Sequence, residues 1–307
     1  MGYPRLRSED RPEASREQMY TEDLIAKQRE WAERGLMSAR KLLPLMAPVS
    51  TYPGWTREER ETITYLASAT ARASESALLL CAYGQLWDAE VLVRSTLEGS
   101  LKFSYLLQSP MAFVARHREY AKELFGIALL KDHRKAADLL ATVQNPEDDE
   151  WRPLRDRLLS NAELTELSAR FGRGARRELE TRWGFTGLIG ALSRSGDPLF
   201  QTIGGMAHGY SLASHVQHVD MVGASIPLDR DRRAPERRES LHLAHQGRLV
   251  SDILILLYLR LTVGYRFVGA DITPLVEAKA LVDAAGEWQD DAYRAWMDVE
   301  YRKPASI

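Results

Sequence analysis

Between Thr56 and Gln108 the chain carries two long stretches of helically spaced apolar residues, parted only by the turn GQLWD. So short a connection lets two helices meet only as antiparallel neighbours, which commits this segment to an αα-hairpin. Thr56 with Glu59 forms the capping box that starts the first helix, and Gly84 is the stop that ends it. The same period recurs wherever the sequence is not punctuated, whereas alternating strand patterns are short and scarce. The chain therefore reads as all-α, a multi-helix bundle.

The remaining elements follow from the same signals. Residues 1–15 read as a flexible polar arm, and residues 16–307 as one helical domain. A long helix is expected from about Ser15 to Met46, ended by the two prolines of APVSTYPGW. Ser109 and Pro110 open another, running to about Leu130. Residues from about 132 to 185 are charge-rich and punctuated, and read as a solvated helical insertion. DPLFQTIGGMAHGYSLASHVQHVD brings a helix back to the core, and MVGASIPLDRDRRAPERR reads as a loop. A very apolar helix follows from about Pro235 to Tyr265, then two shorter ones from about Asp271 to Ala285 and Asp290 to Tyr301. Trp288 and Trp296 are expected to pin that tail to the body.

Composition narrows the function classes. Charged residues nearly cancel to a net charge of -2, so no global field draws nucleic acid or an anionic membrane. The single cysteine, Cys81, rules out an intrachain disulfide and a cysteine-rich zinc module, and reads as a small core residue. Arg260 and Arg266 interrupt the most apolar run before it reaches bilayer-spanning length, and the N-terminus has no signal-peptide core. The expected location is the cytoplasm. The all-round apolarity of LVSDILILLYLRLTVGY points either to the bundle centre or to a homodimer or higher oligomer.

Three sets of polar residues call for chemistry. Arg94 and Glu98 stand one helical turn apart within LVRSTLEGSLKFSYLL, a segment apolar around most of its circumference. A buried ion pair gains little net stability, so the pair is either a local bridge on a solvated edge or part of a polar cleft. MAHGYSLASHVQH sets His208 and His215 on one helical stripe, with His218 three residues on. His215 and His218 are spaced to share a metal if a carboxylate completes the shell; acid–base or phosphate contact is the other use. ERRESLHLAH places Arg237, Arg238, His242 and His245 at the start of the apolar helix, where guanidinium and helix dipole both favour an anion. A solvated basic first turn is the simpler reading.

VLVRSTLEGSLKFSYLL, followed about a hundred residues later by IGGMAHG, resembles a HEPN-like family of uncharacterised bacterial helical proteins, over about Ile63 to Leu261. The resemblance implies a HEPN-like bundle core and, as in active members of that superfamily, a metal-independent ribonuclease serving in defence or toxin systems. It needs no cofactor, takes RNA as partner and implies a homodimer or a defence-system partner protein. Carried over residue by residue, it implies Arg94, Glu98 and His208 as site residues, with glycine at 204 and 205 where the family often has serine. His215 on the same helix is the additional acid–base candidate. The superfamily's signature, Arg, then four to six residues, then His, is matched instead by Arg237 with His242 and Arg238 with His245. The site is therefore expected either at Arg94, Glu98 and His208, or at Arg238 and His245, unless the protein has kept the bundle without the chemistry, as a non-catalytic binding or scaffold protein.

Overall fold

The computed structural model describes residues 20–301, and no strand occurs among them. The expected arm at 1–15 lies outside the described residues. Helix α1 (Glu22–Leu42) starts later than expected because Thr21 is its N-cap: its hydroxyl accepts from the Leu24 amide at 3.3 Å, ahead of acidic Glu22 and Asp23. A 3-10 turn and the short α2 (Ala47–Ser50) lead into α3 (Arg57–Ala82), which has the reciprocal Thr56–Glu59 capping box. Gly84, at φ +72°, makes the turn into α4 (Leu86–Leu107). At Gly99 the hairpin helices approach so closely that a Cβ would lie 2.2 Å from Thr70 Oγ1.

Helix α5 (Pro110–Arg118) continues through a π-helical turn at Glu119–Glu123 into α6 (Leu124–Leu140), about ten residues beyond the expected end. The charge-rich region holds α7 (Arg152–Arg155), α8 (Asn161–Arg170) and α9 (Arg173–Trp183). It is less solvated than its composition suggests, since Phe171, Leu179 and Trp183 join the main core. Trp183 stacks edge-on against Tyr105 of α4 at 5.1 Å and donates its indole N–H to Glu119 at 2.9 Å. Helix α10 (Phe185–Ser193) and two 3-10 turns then reach α11 (Met206–His218).

Two expectations fail downstream. The segment read as a loop contains α12 (Met221–Asp231), because Asp220 caps it through the Gly223 amide at 3.0 Å. Pro227 inside it forfeits only one backbone bond, the one it would have donated to Gly223. The tail read as two helices is one, α14 (Thr273–Glu300), since Gly286 is an unfavourable helix residue but not a breaker. Between them α13 (Pro235–Val268) runs through the bundle centre against α1, α4 and α14, which accounts for its all-round apolarity. Its fully buried Arg260 donates to Ser100 of α4 at 3.0 Å, and burial pushes its guanidinium down to about 9. No described helix is long and apolar enough to cross a membrane.

Candidate functional site

The hairpin geometry sets Glu90, Arg94 and Leu97 along one face of α4, and that face forms a wall of a cavity of about 630 Å³. Helices α11, α12, α13 and α14 close the other sides. Most of the wall is apolar, but four arginines border it: Arg94, Arg230, Arg233 and Arg248.

At the inner end Glu90 is 2% exposed and gathers its partners on one oxygen. His245 Nε2 lies 2.8 Å from Glu90 Oε2, and Arg248 Nη2 donates to the same atom. The other amino group of Arg248 donates to Asp252 at 3.0 Å. Burial alone would raise the Glu90 carboxyl, but the hydrogen bond from His245 and the Arg248 charge outweigh it and hold Glu90 below its ordinary value. Glu90 is thus an acceptor only, so Nε2 of His245 carries the proton and Nδ1 is the free basic nitrogen. Burial and the Arg248 charge push His245 down, keeping the ring neutral. Asp252, buried and close to Glu90, is pushed up to about 6 despite Arg248.

Nearer the mouth, Tyr210 of α11 links the pair that the sequence singled out. Arg94 Nη2 donates to the Tyr210 hydroxyl at 2.8 Å, and that hydroxyl donates to Glu98 Oε1 at 2.9 Å. The direct Arg94–Glu98 approach is longer, 3.5 Å. Phe185 stacks on the Tyr210 ring at 3.5 Å, and the Arg94 guanidinium sits 4.4 Å from the ring centre on Tyr210. Burial raises the Tyr210 phenol, so it remains protonated near neutrality. Arg94 lines the cavity, whereas Glu98 contacts it only through Tyr210.

The expected site residues are thereby sorted. Arg94 and His245 border one cavity, joining parts of the two alternatives. His208 lies on α11, but its side chain is outside the described residues. His215 is not in the cavity wall: it is half exposed and meets Asp220 at 2.6 Å, because its side of α11 faces the turn into α12. His218 is exposed at the end of α11, and no group of three or more metal-ligating side chains forms among the described residues. Arg238 does not join His245; its guanidinium lies 5.4 Å from the Tyr20 ring centre instead. His242 is buried against Gln28 Oε1 at 2.7 Å, and burial pushes it down to about 3.

Sequence reasoning missed Glu90, Tyr210, Arg230, Arg248 and Asp252. The signal was present for three of them. Glu90 stands one turn before Arg94, just ahead of the same apolar segment, and Arg248 with Asp252 repeats the i to i+4 charge pairing within the most apolar helix. Fold and site together define a helical bundle with a charged cavity between its own helices. No family model, curated protein or solved structure matches the chain.

Proposed function

We propose that the cavity is an active site for metal-independent acid–base chemistry on an anionic substrate, and that its substrate is RNA. The observation that carries the reading is the Glu90–His245 hydrogen bond in the wall of a cavity whose four arginines outnumber its three lining carboxylates, Glu90, Asp229 and Asp252. The HEPN-like sequence resemblance supplies the reaction: His245 Nδ1 takes the proton of a ribose 2′-hydroxyl, the 2′-oxygen attacks phosphorus, and the bond to the 5′-oxygen breaks. Tyr210, held protonated, gives the leaving oxygen its proton, while Arg94 beside it balances the charge of the scissile phosphate. The products are a 2′,3′-cyclic phosphate and a 5′-hydroxyl. On this reading the protein is an effector of a bacterial defence or toxin system, working in the cytoplasm as a homodimer or with a partner of that system.

The test is incubation of the purified protein with labelled single-stranded RNA in excess chelator. Cyclic-phosphate ends are expected, reduced about 100-fold or more in His245→Ala and in Tyr210→Phe, with His215→Ala cutting as the unmodified protein does. Absence of cleavage, or unchanged cleavage by His245→Ala, overturns the reading. One observation favours a second reading, a non-catalytic binding bundle: the cavity is enclosed within one chain and has the size of a small-molecule site rather than of a strand channel.

A further inference from the structure

The cavity wall has an imbalance that bears on what fills it. Four N–H groups on its lining side chains are buried with no hydrogen-bond acceptor: Trp87 Nε1, Arg94 Nε, Arg230 Nη1 and Trp296 Nε1. No acceptor atom of the lining side chains is buried without a donor. Every deficit in the wall is therefore a missing acceptor. An N–H removed from water without a partner is costly, and an occupant presenting acceptors relieves that cost with small adjustments of the lining side chains.

The donors are also spread out. Trp87 and Arg94 are seven residues apart on α4, roughly 10 Å along the helix axis, so one compact ion does not reach both. Arg230 and Trp87 form one end: Arg230 is 7% exposed and its guanidinium carbon lies 5.3 Å from the Trp87 ring centre. Among the described residues the carboxylate bonded to Arg230 is Asp231, at 3.4 Å through Nε, which leaves Nη1 for another anion. Arg94 and Tyr210 form the other end, and Val93, Leu97, Ala213 and Leu256 supply apolar wall in the same cavity.

We infer that the cavity takes a small organic anion with an apolar, flat body, its phosphate or carboxylate at Arg230 and Trp87 and a second acceptor group towards Arg94. This deepens the proposed function by naming the chemistry of its ligand, and it rests on the cavity being the functional site, not on RNA being cut there. A nucleotide belongs to this class, and so do aryl phosphates and aryl carboxylates.

The experiment reads binding by calorimetry on the full chain with five probes. 4-Nitrophenyl phosphate and 4-nitrobenzoate carry anion, flat body and far acceptor; phenyl phosphate lacks the far acceptor, orthophosphate the body, and nitrobenzene the anion. At least one of the first two is expected to bind about tenfold or more tighter than each of the last three, and the better one assigns phosphate or carboxylate. Trp87→Phe keeps an aromatic face while removing the indole N–H, so it should weaken the better probe about tenfold without lowering the melting temperature of the free protein. Arg230→Gln should weaken it further; if that variant does not fold, Trp87→Phe decides alone. Orthophosphate binding as tightly as the full probes, nitrobenzene binding as tightly, no binding of either full probe at millimolar concentration, or unchanged binding by Trp87→Phe each overturns the inference. Failure of RNA cleavage with these results intact removes only the ribonuclease reading.

Discussion

His242 and His245 stand three residues apart on α13, both buried, and only one belongs to the cavity. His242 meets a neutral acceptor, Gln28 of α1, and its ring is held neutral by burial down to about 3. His245 meets a carboxylate, Glu90 of α4, with Arg248 on the same oxygen and the cavity beside it. Helical spacing makes them neighbours on one helix; the residues facing them on α1 and α4 give one a structural setting and the other a chemical one. A histidine's chemistry is set by its second partner, and that partner comes from elsewhere in the chain.

The comparison is sharpened most by removing each partner in turn. Glu90→Ala leaves Arg248 and His245 buried without their shared acceptor, and should lower stability by about 3–5 kcal/mol in chemical denaturation. Gln28→Ala removes a neutral hydrogen-bond partner and should cost about 1–3 kcal/mol. Equal losses in the two variants would erase the distinction between the two sites.

Acid gives an effect of middling size. His242 is depressed to about 3 in the folded chain, so protons bind the unfolded state first as pH falls below 6.5. Its neutral-ring stability is present above pH 6.5 and is lost progressively down to about 3. His245 is pushed the same way, while Asp252, raised to about 6, works oppositely by taking up a proton in the folded state first. Comparison with His242→Gln isolates the first group: between pH 7 and pH 5 the unmodified protein should lose about 2 kcal/mol more than the variant. Parallel pH profiles would contradict this. The smallest effect belongs to His215, whose exposed contact with Asp220 should make His215→Ala neutral within about 0.5 kcal/mol in the same measurement.

Much of the architecture was readable in the sequence because its signals are local. The Thr56–Glu59 box and the stop at Gly84 fix their boundaries by contacts within a few residues, and Pro110 opens α5 at its first position, where Ser109 makes no side-chain cap. Boundaries failed in two places: the segment from Met221 read as a loop is a helix that Asp220 caps, and the tail read as two helices is continuous through Gly286. The site was half readable. Arg94 is conspicuous as a charge among apolar neighbours, and Glu90, Arg248 and Asp252 satisfy the same criterion. Their convergence, however, depends on how α4 packs against α13, which no spacing within either helix encodes. Tyr210 carried no signal at all, since a tyrosine at helical spacing reads as core until Arg94 and Glu98 are seen on its hydroxyl.

The most direct test of the difference between the two histidines is the ring-nitrogen spectrum of the ¹⁵N-labelled protein, recorded while the tighter of 4-nitrophenyl phosphate and 4-nitrobenzoate is added to saturation. The account predicts that the His245 ring signals move with ligand occupancy, because that ring borders the cavity, while the His242 signals, closed off against Gln28, stay in place. His245 signals that stay fixed at saturation, or His242 signals that move as far, would contradict it.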